Sequence, residues 1–194
     1  MARQDTRDKI IAIAQDLLAD QGLEHVSFDA IAQRLGRSKQ AVLYWFPSKP
    51  DLLAALFLPA LTAEAHAVES ALAPVSGQTD SIAAFVQALV AFHTGNLSRF
   101  RMMYLAPQLT KGSIAAPSGM TMLEQVHAIT DRTYAALASR LDDDPVLARQ
   151  RAVAIHAAVL GLCTMMGLAS QLNDPLKHGE DRLVNALIAS LTQA

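Results

Sequence analysis

A short stretch near the start of the chain holds side chains that can contact DNA. The candidates are Ser27, Arg37, Ser38, Lys39, Gln40, Leu43, Tyr44, Trp45 and Lys49. Lys39 can donate to guanine or to a phosphate, and Gln40 can pair with the N6 and N7 atoms of adenine. Leu43 can contact a thymine methyl group, whereas the two aromatic residues and Lys49 suit phosphates. The residue types therefore predict a DNA-binding surface.

The spacing of the apolar residues predicts that a helix-turn-helix positions these side chains. Ser27 and Ser38 are good N-caps, and Gly36 can take the left-handed conformation that ends a helix. The second helix should end near Phe46, and both Val42 and Phe46 should face the core. The first helix should direct one apolar face inward, which consists of Phe28, Ile31, Ala32 and Leu35.

Positive charge is concentrated in this stretch, although the formal net charge of the whole chain is −2. Between residues 30 and 50 there is no acid, and the bases are Arg34, Arg37, Lys39 and Lys49. Residues 1–29 hold six acids and three bases. A solvated face is the alternative interpretation of such a run, but the helix-turn-helix around it favours contact with a phosphate backbone.

The same stretch resembles the DNA-binding domain of the TetR family of bacterial transcriptional regulators. The matching positions are Gly22-Leu23, Ile31-Ala32, Gly36, Ser38-Lys39, Tyr44-Trp45-Phe46, Pro47-Ser48-Lys49 and Leu52-Leu53. Two positions depart from the family pattern. Arg37 replaces a small apolar residue, and Leu43 replaces an aromatic residue that often contacts DNA. Tyr44 and Trp45 are therefore the expected aromatic contacts.

The resemblance implies a repressor that binds a palindromic operator as a homodimer and is released by a small-molecule inducer. The expected fold is all-α with about nine helices. A helix-turn-helix DNA-binding domain should cover residues 1–50, and a helical ligand-binding and dimerisation domain should cover residues 51–194. The alternative is a helical small-molecule-binding protein that has lost DNA binding, which the departures at Arg37 and Leu43 favour.

Apolar periodicity and cap residues predict the helices outside the helix-turn-helix. Ser48 with Asp51 should start the fourth helix, which should contain the domain boundary and be bent or interrupted at Pro59. Asp144 should cap a long helix that begins at Pro145. The other predicted helices cover about residues 6–21, 96–109, 120–141 and 179–192, and one more begins near residue 80.

The last two helices carry apolar faces that could form a four-helix dimer interface. The predicted interface residues are Ala154, Ala157, Ala158, Gly161, Met165, Leu168, Leu183, Leu187 and Leu191. TetR-family members dimerise through these two helices, so the resemblance implies the same use. The alternative is that both faces only close the core of one chain.

Polar and adaptable side chains among apolar ones predict a ligand pocket in the middle of the chain. The candidates are His66, Phe92, His93, Met103, Tyr104, His127 and Tyr134. Each could equally be a structural core residue. The resemblance implies that an inducer binds in this region.

Other kinds of site find little support in the sequence. Catalytic motifs are absent, so we expect no enzyme activity and no cofactor. Because no two histidines or cysteines have a local metal-ligand spacing, we also expect no metal site. Cys163 lies in an apolar run and should be a core residue. The charged start of the chain and the Ala- and Gly-rich run at residues 152–169 favour a cytoplasmic protein without a membrane span.

Overall fold

The computed structural model describes residues 2–105, 122–141, 144–173 and 179–193, and all its regular structure there is helical. In chain order the α-helices are α1 (Ala2–Gln21), α2 (Phe28–Leu35), α3 (Lys39–Trp45), α4 (Lys49–Leu72), α5 (Gln78–Thr94), α6 (Leu97–Phe100), α7 (Met122–Ala138), α8 (Pro145–Leu172) and α9 (Glu180–Thr192). A 3₁₀ turn at Leu23–His25 and a π-helical turn at Arg101–Leu105 complete the described elements. The predicted all-α fold is confirmed.

Local capping explains where the two helices of the helix-turn-helix begin and end. The Ser27 hydroxyl accepts a hydrogen bond from the Ala30 amide at 3.2 Å and so caps α2. Gly36 ends that helix at φ 65°, a left-handed conformation that costs glycine little. The Ser38 hydroxyl caps α3 by accepting from the Ala41 amide at 3.3 Å. These caps agree with the prediction from the sequence.

The start of α4 is fixed by a reciprocal cap. The Ser48 amide donates to the Asp51 carboxylate at 3.1 Å, and the Asp51 amide donates to the Ser48 hydroxyl at 3.3 Å. Two amides at the helix start are thereby satisfied. The helix then continues through Pro59 without interruption. Farther along the chain, the Asp144 side chain caps α8 by accepting from two backbone amides, as predicted.

The structure differs from the prediction at α6 and at the start of α5. Residues 96–109 were expected to form one helix, but α6 spans four residues and a π-helical turn follows it. Apolar spacing cannot distinguish hydrogen bonds to the fourth residue from hydrogen bonds to the fifth. Helix α5 begins at Gln78 rather than near Asp80. It follows directly on Gly77, whose φ of 86° lies outside the helical region. Residues 106–109, 120 and 121 of the predicted helices lie outside the described residues.

Residues 1–61 and 98–127 form one compact unit, of which the described part contains α1 to α3 and the first half of α4. Its core collects the apolar faces of these helices. The most deeply buried side chains include Ile10, Ala14, Val26, Ile31, Val42 and Leu52, each with no exposed surface. Packing of this kind fixes α3 relative to α1 and α2, so the outer face of α3 is presented by a rigid support.

Residues 62–97 and 128–194 form a second compact unit, built from the second half of α4 and from α5, α8, α9 and most of α7. Its core includes Ile82, Phe85, Val86, Leu89, Leu137 and Val159, which are fully buried. The division between the units falls after Leu61, inside α4. The predicted domain boundary at residue 50 stays a prediction.

Helices α4 and α8 are long and apolar enough to span a membrane, with mean hydropathies of 1.4 and 1.9 over their most apolar stretches. Within each stretch, 44% is buried inside the protein. Core helices of water-soluble proteins meet the same criteria of length and composition, so this is weak support for a membrane span.

Candidate functional site

Helix α3 presents a polar outer face on an apolar support. Val42 is fully buried and Phe46 is 3% exposed, so the inner face is anchored in the core. Lys39 and Gln40 are exposed on the first turn, and Tyr44 is 65% exposed one turn farther on. The two side chains with the donors and acceptors for base edges therefore lie at the helix start, where a recognition helix usually contacts bases.

The remaining predicted DNA contacts surround this helix. Arg37, Ser38 and Lys49 are exposed, whereas Ser27, Leu43 and Trp45 are half-buried. The rings of Tyr44 and Trp45 meet edge to face, with centroids 5.3 Å apart. This contact restrains the exposed Tyr44 ring against a partly buried neighbour. The structure thus gathers the predicted residues on or beside α3, while their individual contacts with DNA stay predictions.

An acid that the sequence prediction did not include lies within this surface. The Lys39 ammonium donates to the Asp29 carboxylate at 2.8 Å, and both side chains are exposed. Arg34 similarly faces Asp20, with a nitrogen–oxygen distance of 3.9 Å. Two of the bases that give the stretch its positive charge therefore face acids from α1 and α2. Binding to DNA at Lys39 would exchange a carboxylate partner for a base or a phosphate.

Residues 10–56, which include this whole surface, match the family model of bacterial regulatory proteins of the tetR family. Residues 10–56 are a tetR-family DNA-binding domain. The match spans the second half of α1 through the start of α4 and includes the helices that build the outer face of α3.

Solved structures of regulatory proteins share the fold over nearly the whole chain. PfmR, a TetR family transcriptional regulator from Thermus thermophilus, is 23% identical at a TM-score of 0.64, and the match covers 95% of this chain and 94% of that one. A regulatory protein in the tetR family from Rhodococcus RHA1 is 18% identical, with a TM-score of 0.69 and coverage of 95% and 96%. The transcriptional regulator FadR from Bacillus subtilis, solved with stearoyl-CoA, is 18% identical, with a TM-score of 0.66 and coverage of 94% and 96%. At these identities the likeness establishes a shared fold.

In the second unit, helix α8 has one buried and one exposed apolar face. The buried face includes Ile155, Val159 and Cys163. The predicted dimer residues lie on the other face, where Ala154, Ala157, Gly161, Met165 and Leu168 are exposed and Ala158 is half-buried. Met165 is 60% exposed and Leu168 is 56% exposed. On α9, Leu183, Leu187 and Leu191 are half-buried. The α8 face is therefore left open by the packing of the single chain.

The residues predicted to bind a ligand are divided between the two units. In the second unit, His93 is buried and Tyr134 and Phe92 are half-buried, while His66 is exposed and pairs with Glu69. In the first unit, Met103 is buried, Tyr104 packs beside Phe100 and His127 is exposed. A surface cleft of about 490 Å³ in the first unit is lined by residues such as Arg7, Asp51 and Pro59, and its lining includes none of the seven.

The second unit instead buries a cluster that the sequence prediction missed. Glu64 on α4, His93 on α5 and His156 on α8 are each at most 3% exposed. The His93 Nε2 atom lies 3.4 Å from one carboxylate oxygen of Glu64, and the His156 Nε2 atom lies 3.6 Å from the other. The Tyr134 hydroxyl is 3.2 Å from His156 Nδ1. We name Glu64, His93 and His156 the buried triad.

Burial sets the ionisation of the groups around this triad. It lowers the pKa of His156 below its ordinary value, and the opposing effect of the nearby Glu64 carboxylate is smaller. Burial also raises the pKa of the Tyr134 hydroxyl, with a further contribution from Glu64. The Cys163 thiol, buried on the inner face of α8, has its pKa raised by burial to about 11. Cys163 is therefore a protonated core residue rather than a reactive thiolate.

A signal for the triad was present in the sequence. Glu64, His93 and His156 each lie on the apolar stripe of their helix, between residues such as Phe57 and Val68 on α4. A titratable residue on a buried stripe needs a partner. The partners are on three separate helices, and for that reason local spacing could not connect them.

Proposed function

We propose that this tetR-family protein is a cytoplasmic repressor that binds a palindromic operator as a homodimer and is released by a small-molecule inducer. The observation that carries the proposal is the outer face of α3, where Lys39, Gln40 and Tyr44 project from a rigid support. Residues 1–50 would bind DNA, and residues 51–194 would bind the inducer and the second chain. The protein would act by binding, without catalysis.

Contacts with bases would come from the first turn of α3. Lys39 would donate to guanine O6 or N7 and Gln40 would pair with adenine, while Leu43 would contact a thymine methyl group. Tyr44, Trp45, Arg37 and Lys49 would bind phosphates and fix the register of the helix. Ser27 and Ser38 cap the two helices and could also donate to phosphates from their hydroxyls.

Dimerisation is needed because one helix of seven residues reads few base pairs. A two-fold dimer places two recognition helices about 34–36 Å apart, on successive major grooves. The exposed apolar face of α8 supports such a dimer, since a monomer would leave Met165 and Leu168 in water. The small residues Ala154, Ala157 and Gly161 on the same face would let a partner helix approach closely.

Release by an inducer would follow from differential binding. A small molecule that binds one dimer conformation more tightly than the other lowers DNA affinity by that difference in affinity. The structure of FadR with stearoyl-CoA shows that one protein of this fold binds a small molecule. For this chain, Phe92, His93 and Tyr134 in the second unit are the predicted residues with the burial expected of a pocket.

A footprint on selected DNA tests the proposal. We would select binding sequences from a random library with the wild-type protein and map protection on the best sequence. The expected result is an inverted repeat protected at two half-sites, with two chains per DNA duplex. Selection of a single unrepeated half-site would contradict the dimer. If no sequence is enriched, and if residual binding of the protein to DNA does not weaken as the salt concentration rises, the result would support the alternative in which DNA binding is lost.

A further inference from the structure

We propose that the buried triad of Glu64, His93 and His156 binds one divalent transition-metal ion, with Zn²⁺ as the best match to its ligands. The site lies inside the second compact unit and uses one side chain from each of α4, α5 and α8. The inference does not depend on DNA binding or on the identity of an inducer.

The distances between the ligand atoms fit a metal of this size. One ligand atom from each residue can be chosen so that all three lie within 4.8 Å of one another. The two distances from histidine Nε2 atoms to carboxylate oxygens are 3.4 and 3.6 Å. Zinc bonds of about 2.0–2.2 Å in a tetrahedron place neighbouring ligand atoms roughly 3.3–3.5 Å apart. The two histidine–carboxylate distances match this spacing, although they end on different oxygens of Glu64, and separations of up to 4.8 Å within the triad would have to shorten for all three residues to bind one ion.

The ligand types select the class of metal. Two imidazoles and one carboxylate suit Zn²⁺ and the neighbouring transition metals, whereas Mg²⁺ and Ca²⁺ prefer shells made of oxygen atoms. Three protein ligands leave a fourth position of a tetrahedron for water or for an oxygen or nitrogen atom of a small molecule. A bound ion would thus also give the second unit a point of attachment for such a molecule.

The surroundings of His156 hold its ring in the orientation that metal binding requires. Its Nε2 atom faces Glu64, and its Nδ1 atom lies 3.2 Å from the Tyr134 hydroxyl. When Nε2 binds a metal, Nδ1 carries the proton and donates it to an acceptor, and here the hydroxyl oxygen accepts. The ring of Phe85 meets the His156 ring edge-on, with centroids 6.2 Å apart, and restricts its rotation.

A divalent ion would also balance the charge of the buried carboxylate. A carboxylate that is 2% exposed is costly to bury unless positive charge compensates it. A divalent ion supplies that charge to all three ligands at once. The competing interpretation is a proton shared between Glu64 and one imidazole, which needs no metal and would give no metal-dependent signal.

Cobalt binding tests the site directly. Untagged protein would be stripped with a chelator, dialysed and titrated with Co²⁺ while visible absorbance is recorded. We expect one Co²⁺ per chain, an intense tetrahedral band that Zn²⁺ abolishes, and an unfolding temperature that rises with Zn²⁺ concentration. No band above that of free Co²⁺, together with an unchanged unfolding temperature, would overturn the proposal.

Substitutions locate the bound ion. His156→Ala and Glu64→Gln should abolish the band, whereas His25→Ala is the matched control, because His25 is an exposed histidine in the first unit. Tyr134→Phe keeps the ring and removes only the acceptor, so the fold should persist while affinity falls by roughly 10–100-fold. If the triad variants fail to fold, the number of Co²⁺ ions bound per wild-type chain and the Co²⁺ affinity of Tyr134→Phe still test the proposal. Loss of the band in His25→Ala would show that the ion binds at the surface and would overturn the proposal.

Discussion

In the proposed mode of DNA binding, Lys39 is the residue at which the free and DNA-bound states compete. In the free protein its ammonium group pairs with the Asp29 carboxylate at 2.8 Å, across the turn between α2 and α3. An exposed ion pair of this kind contributes little to stability. It does hold the lysine away from other partners, and it places a negative charge beside the surface that would face phosphates.

Substitution of Asp29 should strengthen operator binding. Asp29→Asn frees Lys39 and removes repulsion between a carboxylate and the phosphate backbone, so we expect an affinity gain of roughly two- to five-fold. Fluorescence anisotropy at a fixed salt concentration would measure it. Asp16→Asn, which removes an exposed acid from α1, is the control for net charge. A weaker affinity for Asp29→Asn would show that the pair orients Lys39 for DNA.

Base-reading and phosphate-binding residues should differ in their effect on specificity. Lys39→Ala and Gln40→Ala should each reduce operator affinity by about 1–3 kcal/mol, with smaller losses on random DNA. Lys49→Ala should weaken binding to all DNA. It should also reduce the slope of log affinity against log salt concentration by about 1. Titrations of operator and random duplexes at several salt concentrations would separate the two kinds of residue. Equal losses on both duplexes for all three variants would contradict the assigned roles.

At the scale of elements, α8 combines two surfaces with different purposes. Its inner face holds His156 and Cys163 in the core, and its outer face exposes small and apolar residues over much of the helix. Gly161 lies on that outer face, and a β-carbon added there would meet nothing within 4 Å. Substitution at Gly161 therefore probes association between chains rather than the packing of one chain.

A charged side chain at this position should break the dimer. Gly161→Glu introduces a carboxylate that water can solvate in the monomer but that a second α8 would bury. Sedimentation equilibrium should show monomers with unchanged helical content and reduced DNA binding. Asn185→Glu, at an exposed position of α9, is the matched control and should stay dimeric. A Gly161→Glu variant that remains dimeric would exclude this face as the interface.

The helices could be predicted because their signals are local. Ser27, Ser38 and Asp144 cap helices through bonds to amides two or three residues away, and sequence alone shows such spacing. The π-helical turn at Arg101–Leu105 was missed, because a segment of five residues is too short to show a periodicity that differs from that of an α-helix. The buried triad was missed for a different reason, since its members are brought together only by the packing of three helices. Long-range packing also decided which predicted ligand residues became buried.

For the whole molecule, one compact unit presents α3 and a second compact unit carries the exposed face of α8. The proposed repression requires sequence-specific binding, and the proposed regulation requires that a ligand change the affinity. The two proposals about the second unit, inducer binding and metal binding, can each fail without affecting the role of α3. DNA binding is therefore the central claim.

The most direct test is a gel shift of the purified protein on the DNA immediately upstream of its own gene, with random-sequence competitor. Regulators often control their own or a neighbouring gene, so this fragment is the first candidate for an operator. We predict a shift that survives competitor, weakens steeply as salt rises and is lost in Lys39→Ala. No shift on this fragment or on pooled genomic DNA at low salt, even after unfolding and refolding to remove a bound ligand, would contradict the account.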